Sequence, residues 1–224
     1  MMAEMPPDQR PAKTRALATD YDGTLAQKGR VDDRTLAALE RLRADGWTLL
    51  LVTGRNLDDV ARVFPDLPVF DRVVAENGAL VAGADGHIRK LGPAPDPILL
   101  SALELRAVPY STGRVAVHTL TAYEAPVLQA IRDSGAEVAI SRNKGALMLL
   151  PRGVDKAAGL RAALDELGVD PAAVVGVGDA ENDLPFLQIC GRAYACADAL
   201  PAVRAAAGRY TRSVRELVEE LLGD

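Results

Sequence analysis

The residues predict an α/β protein, a doubly wound parallel sheet core carrying a smaller inserted α/β module. Three observations support this. Short apolar runs alternate with segments of helical period towards both ends of the chain. Several of those runs are apolar without a break, as expected of parallel strands covered on both faces. In the middle third the alternation lapses and turn residues cluster. With 224 residues, 49% hydrophobic and 25% charged, the chain can bury a substantial core.

The opening "MMAEMPPDQRPAKTR" has no apolar h-region, so residues 1–14 are expected to form a disordered tail. Residues 16–19 read as a first strand. Asp32 then caps a helix in which Leu36, Leu39 and Leu42 recur at helical spacing until Gly46. "WTLLLV" (47–52) is the second strand, 56–64 a helix with Leu57, Val60 and Phe64 on one face, and 71–75 the third strand. Residues 79–91 form a hairpin around Ala84-Asp85-Gly86, and "GPAPDP" (92–97) breaks the chain repeatedly. The insert is expected at 83–153, with helices at 98–107 and 125–134 and strands at 115–120, 137–140 and 146–150. The core (15–82 and 154–224) then resumes with a helix at 155–167, a strand at 173–178, a helix at 183–190, a strand near Tyr194 and two further helical stretches.

Composition excludes several function classes. A net charge of -5 offers no basic excess for releasing counterions from a phosphate backbone, so nucleic acid is not expected as a partner. No uncharged run is long enough to cross a bilayer, so no membrane partner is expected either. The two cysteines, Cys190 and Cys196, have neither metal-ligand spacing nor a disulfide framework, which suits a reducing compartment and a cytoplasmic protein. Nothing in the residues fixes an oligomeric state.

In an open α/β sheet, ligands bind beyond the carboxyl ends of the strands. Four such ends are chemically loaded: Asp20 and Asp22, Thr53-Gly54-Arg55, Glu76-Asn77-Gly78, and "GDAEND" at 178–183. Carboxylates converging there would repel one another unless a cation intervened. An oxygen-only ligand set without His or Cys favours Mg2+. Phosphate would complete such a site, with the Thr53 hydroxyl and Gly54 amide as donors and Lys156 as the cation. In a helix's first turn Lys156 is opposed by the macrodipole unless an anion faces it.

Taken singly, each motif has a plainer explanation. "DYDG" fits an ordinary turn; a calcium loop fails because its Gly comes too early and position 31 is Val. "TGR" fits a helix cap, "ENG" a turn whose Asn tolerates left-handed backbone, "GDAEND" an acidic cap, and Lys156 a solvated lysine. Four such coincidences, in order and each at a strand end, are less economical than one site.

"DYDGT" (20–24), "TGR" (53–55), "DK" (155–156) and "GDAEND" (178–183) resemble, in order, the four motifs of the haloacid dehalogenase superfamily, in its phosphatase branch. "AENGA" (75–79) and an insert between the second and third motifs resemble the Cof-type subclass (IIB), with a Rossmann-like core and an α/β cap. The resemblance runs from about residue 15 to the C-terminus. It implies an Mg2+-dependent phosphomonoester hydrolase with Asp20 as nucleophile, forming an aspartyl phosphate, and Asp22 as general acid and base. Mg2+ would be held by Asp20, the Asp22 carbonyl and Asp179, with Asp183 assisting through water or by orienting its neighbours. Thr53, Gly54, Lys156 and Asn182 would cradle the phosphoryl group. Asp20 and Asp22, two apart on an extended strand end, project to one side while Tyr21 points away.

The implied partner is a small phosphorylated metabolite, such as phosphoglycolate or a sugar phosphate. The cap offers Arg142, Asn143 and Lys144 to read its leaving group, although all three also fit a solvated basic turn. Arg55 is either a substrate contact or the partner of a nearby acid. His118 and His87 are expected at the surface. A phosphomutase, or a receiver-like module holding phosphate on Asp20, are the alternatives. The acid and base role of Asp22 counts against the receiver.

Overall fold

The computed structural model describes residues 15–223, so the expected tail at 1–14 lies outside the described residues. The core opens with β1 (Ala16–Thr19), α1 (Asp33–Ala44), β2 (Thr48–Val52), α2 (Leu57–Val63), β3 (Arg72–Ala75), β4 (Leu80–Gly83) and β5 (Ile88–Lys90). The second unit comprises α3 (Pro97–Glu104), β6 (Ser111–Thr112), β7 (Val117–Leu120), α4 (Glu124–Ser134), β8 (Val138–Asn143) and β9 (Ala146–Pro151). The core closes with α5 (Lys156–Leu167), β10 (Val174–Gly178), α6 (Leu184–Ile189), β11 (Arg192–Ala195), α7 (Pro201–Ala207) and α8 (Val214–Leu222).

The larger sheet has the order β11-β10-β1-β2-β3-β4-β5. Its first five strands are parallel, with β4 and β5 antiparallel at one edge. Every residue of β1, β2 and β10 is buried, because each strand lies between two layers of helix. On one face Leu17, Leu49 and Leu51 pack with Leu39 and Leu42 of α1 and Leu217 of α8. On the other, Ala18, Leu50 and Val74 meet Leu160 and Leu164 of α5 and Phe186 of α6. Each such leucine contributes about 2 kcal/mol of burial.

Local chemistry sets the element ends. The Asp32 carboxylate accepts the amides of Arg34 and Thr35, both at 3.0 Å, which fixes the start of α1. Gly159 lets α5 lie directly on the sheet, since a Cβ there would sit 2.6 Å from the Gly78 Cα. A mid-helix glycine costs about 1 kcal/mol against alanine. Here it brings the start of α5, and with it Lys156, against the turn after β3.

Residues 83–90 depart from the expected insert boundary. They continue the large sheet as the β4–β5 hairpin, and the second sheet begins only after the breaks at 92–97. The buried β4 needs a partner for its backbone, and β5, exposing Arg89 and Lys90, supplies one while protecting the sheet edge. The insert's own sheet, β6-β7-β9-β8, is antiparallel. Two-residue β6 was absent from the sequence expectation. Leu99 and Leu103 of α3 and Val127 of α4 cover the face bearing Val117, Leu147 and Leu149. The opposite face turns Met148 and Leu150 into the core's own apolar cluster.

Candidate active site

The carboxyl ends of β1, β2, β3 and β10 meet at one place, with the inner face of the second sheet above them. Backbone bonds from Leu25 N to Asp20 O (3.2 Å) and Ala26 N to Tyr21 O (2.7 Å) close the loop after β1. Tyr21 is fully buried against Phe64, whereas the Asp20 and Asp22 side chains face the cleft. Thr24 is buried with no hydroxyl partner among the described residues, so these backbone bonds brace the loop.

Lys156 is fully buried at the start of α5, after Asp155, whose side chain caps the helix through the Ala158 amide (2.8 Å). Its Nζ donates to Asp20 Oδ1 (2.5 Å) and Asp183 Oδ1 (2.6 Å). Burial opposes the ammonium's charge, but Asp183 and Asp20 overcome it and hold the pKa above the ordinary lysine range. Burial, and next the charge of Asp183, push the Asp20 carboxyl up to about 8, with Lys156 pulling the other way. Asp179 is fully buried and also raised, mainly by burial, against the hydrogen bond from Lys144.

Oxygens of Asp20, Asp179 and Asp183 lie within 4.8 Å of one another. The donor set is all carboxylate, and Asp179 Oδ1 is buried without a hydrogen-bond partner among the described residues, so the group fits a hard cation. The two oxygens of Asp183 are already engaged: Oδ1 by Lys156, and Oδ2 by the amides of Asp179 (2.8 Å) and Ala180 (2.9 Å). Of the two roles expected for Asp183, orienting its neighbours is the one these bonds support.

Of the two roles expected for Arg55, the hydrogen bonds show the pairing with acids. Arg55 grips Asp22 through Nε (2.7 Å) and Nη2 (2.8 Å) and reaches Asp59 through Nη1 (2.7 Å). Its guanidinium is thus occupied by acids rather than left for phosphate. Asn182 donates one amide hydrogen to Asn77 Oδ1 (2.8 Å), and its Nδ2 lies beside Gly54, 3.7 Å from where a Cβ on that glycine would sit. Thr53 is buried and its Oγ1 accepts the Arg55 amide (3.1 Å), shaping the loop. Gly54 lines the cleft.

The cleft, about 440 Å³, is lined on the core side by Asp20, Asp22, Gly54, Arg55, Asn56 and Asp59, with Ser111, His118, Asn143 and Met148 from the insert. His118 was expected at the surface, and strand alternation explains the difference. Val117 and Thr119 face the insert's helices, which sends His118 the other way, over the core. Burial holds its imidazole below the ordinary range, against the charge of Glu76. His118 Nε2, Asn56 Oδ1 and Asn143 Oδ1 are buried with no partner among the described residues, three polar atoms around one cleft. His87 is exposed as expected.

Arg142 pairs with Glu124 on α4, away from the cleft. Lys144 is at the tip of the β8–β9 hairpin in left-handed backbone (φ 43°), followed by Gly145 (φ 91°), and its Nζ bonds Asp179 Oδ2. Lys144 was expected in a turn, to read the leaving group or to be solvated; in the structure it is in that turn, with its ammonium on an acid of the core.

The family model for haloacid dehalogenase-like hydrolases matches residues 17–91 and 117–217. A phosphoglycolate phosphatase of Methanothermobacter thermautotrophicus is 31% identical over 224 residues, covering 93% of this chain and 99% of the relative. One from Natronomonas pharaonis is 31% identical over 87% of this chain and 90% of its own length. A haloacid dehalogenase-like hydrolase from Bacteroides thetaiotaomicron superposes with a TM-score of 0.79 at 20% identity, covering 92% of this chain and 99% of that one. The subclass IIB sugar phosphatase BT4131 gives 0.76 at 19%, covering 94% and 99%. With the family model matching most of the chain, and the acidic cluster built from both matched segments, the chain belongs to the haloacid dehalogenase-like hydrolases.

Proposed function

We propose that this phosphatase hydrolyses small phosphomonoesters in two steps through an aspartyl phosphate on Asp20. The observation that carries it is the fully buried Lys156 ammonium held between Asp20 and Asp183, with the Asp179 carboxylate alongside. One oxygen of Asp20 is fixed by Lys156, and the other attacks phosphorus in line with the leaving oxygen. As the P–O bond breaks, Asp22 gives its proton to the departing alkoxide. Asp22 then takes a proton from water as that water attacks phosphorus, which frees inorganic phosphate and restores Asp20. Arg55, clasping both oxygens of Asp22, aims the acid into the cleft. Thr53 and Gly54 shape the loop beside the phosphoryl group.

Asp20, Asp179 and the Asp22 carbonyl would hold Mg2+, with Asp183 orienting them. The ion would supply charge neutralisation at the phosphoryl oxygens. The size of the cleft and the names of the relatives support an ester on the scale of phosphoglycolate or a small sugar phosphate. Phosphate release from an ester panel with Mg2+ tests this. Asp20→Asn should lower turnover by at least 1,000-fold, on the order of losing a catalytic nucleophile, with an unchanged circular dichroism spectrum. Turnover retained in that variant refutes the assignment.

A further inference from the structure

Glu76-Asn77-Gly78 is the one loaded strand end that the proposed chemistry leaves unused. Glu76 and Asn77 are both in left-handed backbone (φ 50° and 54°). That is uncommon for residues with a side chain and persists where the surroundings over-determine it. Here the surroundings are the site's own loops. The Glu76 amide donates to Arg55 O (2.9 Å) and the Asn77 amide to Thr53 O (3.0 Å). The Asn77 side chain accepts from Asn182 (2.8 Å) and donates to Ser141 Oγ on β8 (3.1 Å). The turn therefore joins two core loops to the insert.

The Glu76 side chain makes the stronger link. It is 1% exposed, and its carboxylate reaches under the insert. Oε1 accepts the Arg114 amide (2.8 Å), and Oε2 accepts those of Val115 and Ala116 (2.9 Å each). A Cβ on Gly113 would fall 2.3–2.5 Å from the carboxyl atoms, so a side chain there would push the carboxylate off these amides. A buried carboxylate requires such donors, and buried amides require an acceptor. These amides lie between β6 and β7, whose Ser111 and His118 are register partners lining the cleft.

We propose that Glu76 is a positioning residue. Its carboxylate docks the β6–β7 loop on the core and so sets Ser111 and His118 over the ester's leaving group, controlling how tightly the ester binds without touching it. The kinetic half of this rests on the phosphatase reading, whereas the docking half rests on the hydrogen bonds alone.

The test uses the full chain carrying Glu76→Gln, with hydrogen–deuterium exchange over residues 111–118 and steady-state kinetics on glycerol phosphate. Glutamine keeps the shape but turns one accepting oxygen into a donor facing the loop amides. Exchange at 114–116 should accelerate about tenfold or more, the scale of a lost charge-assisted hydrogen bond. KM should rise about tenfold with kcat within about threefold, as for lost ground-state binding, and exchange in β1 and β10 should stay unchanged. Gly113→Ala crowds the carboxylate from the insert's side and should reproduce the effect, with the double variant adding little because the two sites share one contact. Unchanged exchange at 114–116 overturns the docking. Faster exchange with lower kcat and unaltered KM makes Glu76 merely structural and overturns the positioning role. A wild type releasing phosphate from no ester sinks the phosphatase reading and the kinetic half with it, while the exchange data still decide the docking.

Discussion

Replacing Lys156 with methionine keeps the volume of a fully buried side chain and removes its charge, so packing loss is small. What changes is electrostatic: Asp20 and Asp183 each lose a charge-assisted bond, of 2.5 and 2.6 Å, among buried side chains. Removing one partner of a buried ion pair typically costs about 3–5 kcal/mol, and Asp183 cannot turn away because its other oxygen holds two amides. For a chain of this size that is a fall in Tm of roughly 6–20 °C. The pH dependence follows from Asp20. Its folded-state pKa, about 8, lies above the ordinary 3.8, so metal-free protein loses stability as pH rises from about 4 towards 8. Without Lys156 that carboxyl rises further and the loss extends to higher pH. Lys156 itself is raised, so in the wild type it remains charged throughout this range. Urea unfolding in EDTA at pH 5.5 and 8.5 should therefore show the larger deficit at pH 8.5. A deficit under about 1 kcal/mol, the level of a surface pair, and equal at both pH values would refute the buried bridge.

Arg55→Lys cannot reproduce the fork on Asp22. In single-turnover kinetics, release of the alcohol from an alkyl phosphate, which needs a proton for its leaving group, should slow by about 10–100-fold, within the range of general acid catalysis, while release of p-nitrophenol from p-nitrophenyl phosphate is little affected; equal losses in leaving-group release would exclude a role through Asp22 as the acid. Mg2+ at a hundredfold its dissociation constant should stabilise the wild type by about 2.7 kcal/mol, and Asp179→Asn should abolish most of that gain in a thermal-shift titration. Asp32→Ala removes the α1 cap and should cost about 1 kcal/mol at pH 7. The Thr35 hydroxyl and amides hold the Asp32 carboxyl below its ordinary value, so this contribution is present above about pH 4 and should fade as pH falls through the lowered pKa in urea melts.

Much of the fold was legible because burial on both faces leaves a continuous apolar run, as in β2, and because the Asp32 cap acts within a few residues. The motif positions after β1, β2, β3 and β10 were legible for the same reason, since each run ends where the chemistry begins. Contacts between distant segments were not. Asp22 with Arg55 is separated by 33 residues and Lys144 with Asp179 by 35, and no periodicity reports such pairs. Alternation placed His118 on one face of β7 but could not say which face looked at the core. The β4–β5 hairpin was recognised as a hairpin, yet its allegiance depended on which sheet had an edge to protect.

Counting charge at the acidic cluster identifies the carboxylate left for a cation. Asp20, Asp179 and Asp183 bring three negative charges, met by Lys156 from the core and Lys144 from the insert. The two lysines are not equivalent. Lys156 has no exposed side-chain surface and binds two of the acids, whereas Lys144 is 42% exposed and reaches only Asp179, so solvent screens its contribution. Asp20 and Asp183 share the single charge of Lys156 within the core, while Asp179 depends on a screened contact from a hairpin tip and keeps an unpartnered Oδ1. A divalent cation would gain most at Asp179, next to Asp20, the proposed nucleophile, where an incoming phosphate ester would bring further negative charge.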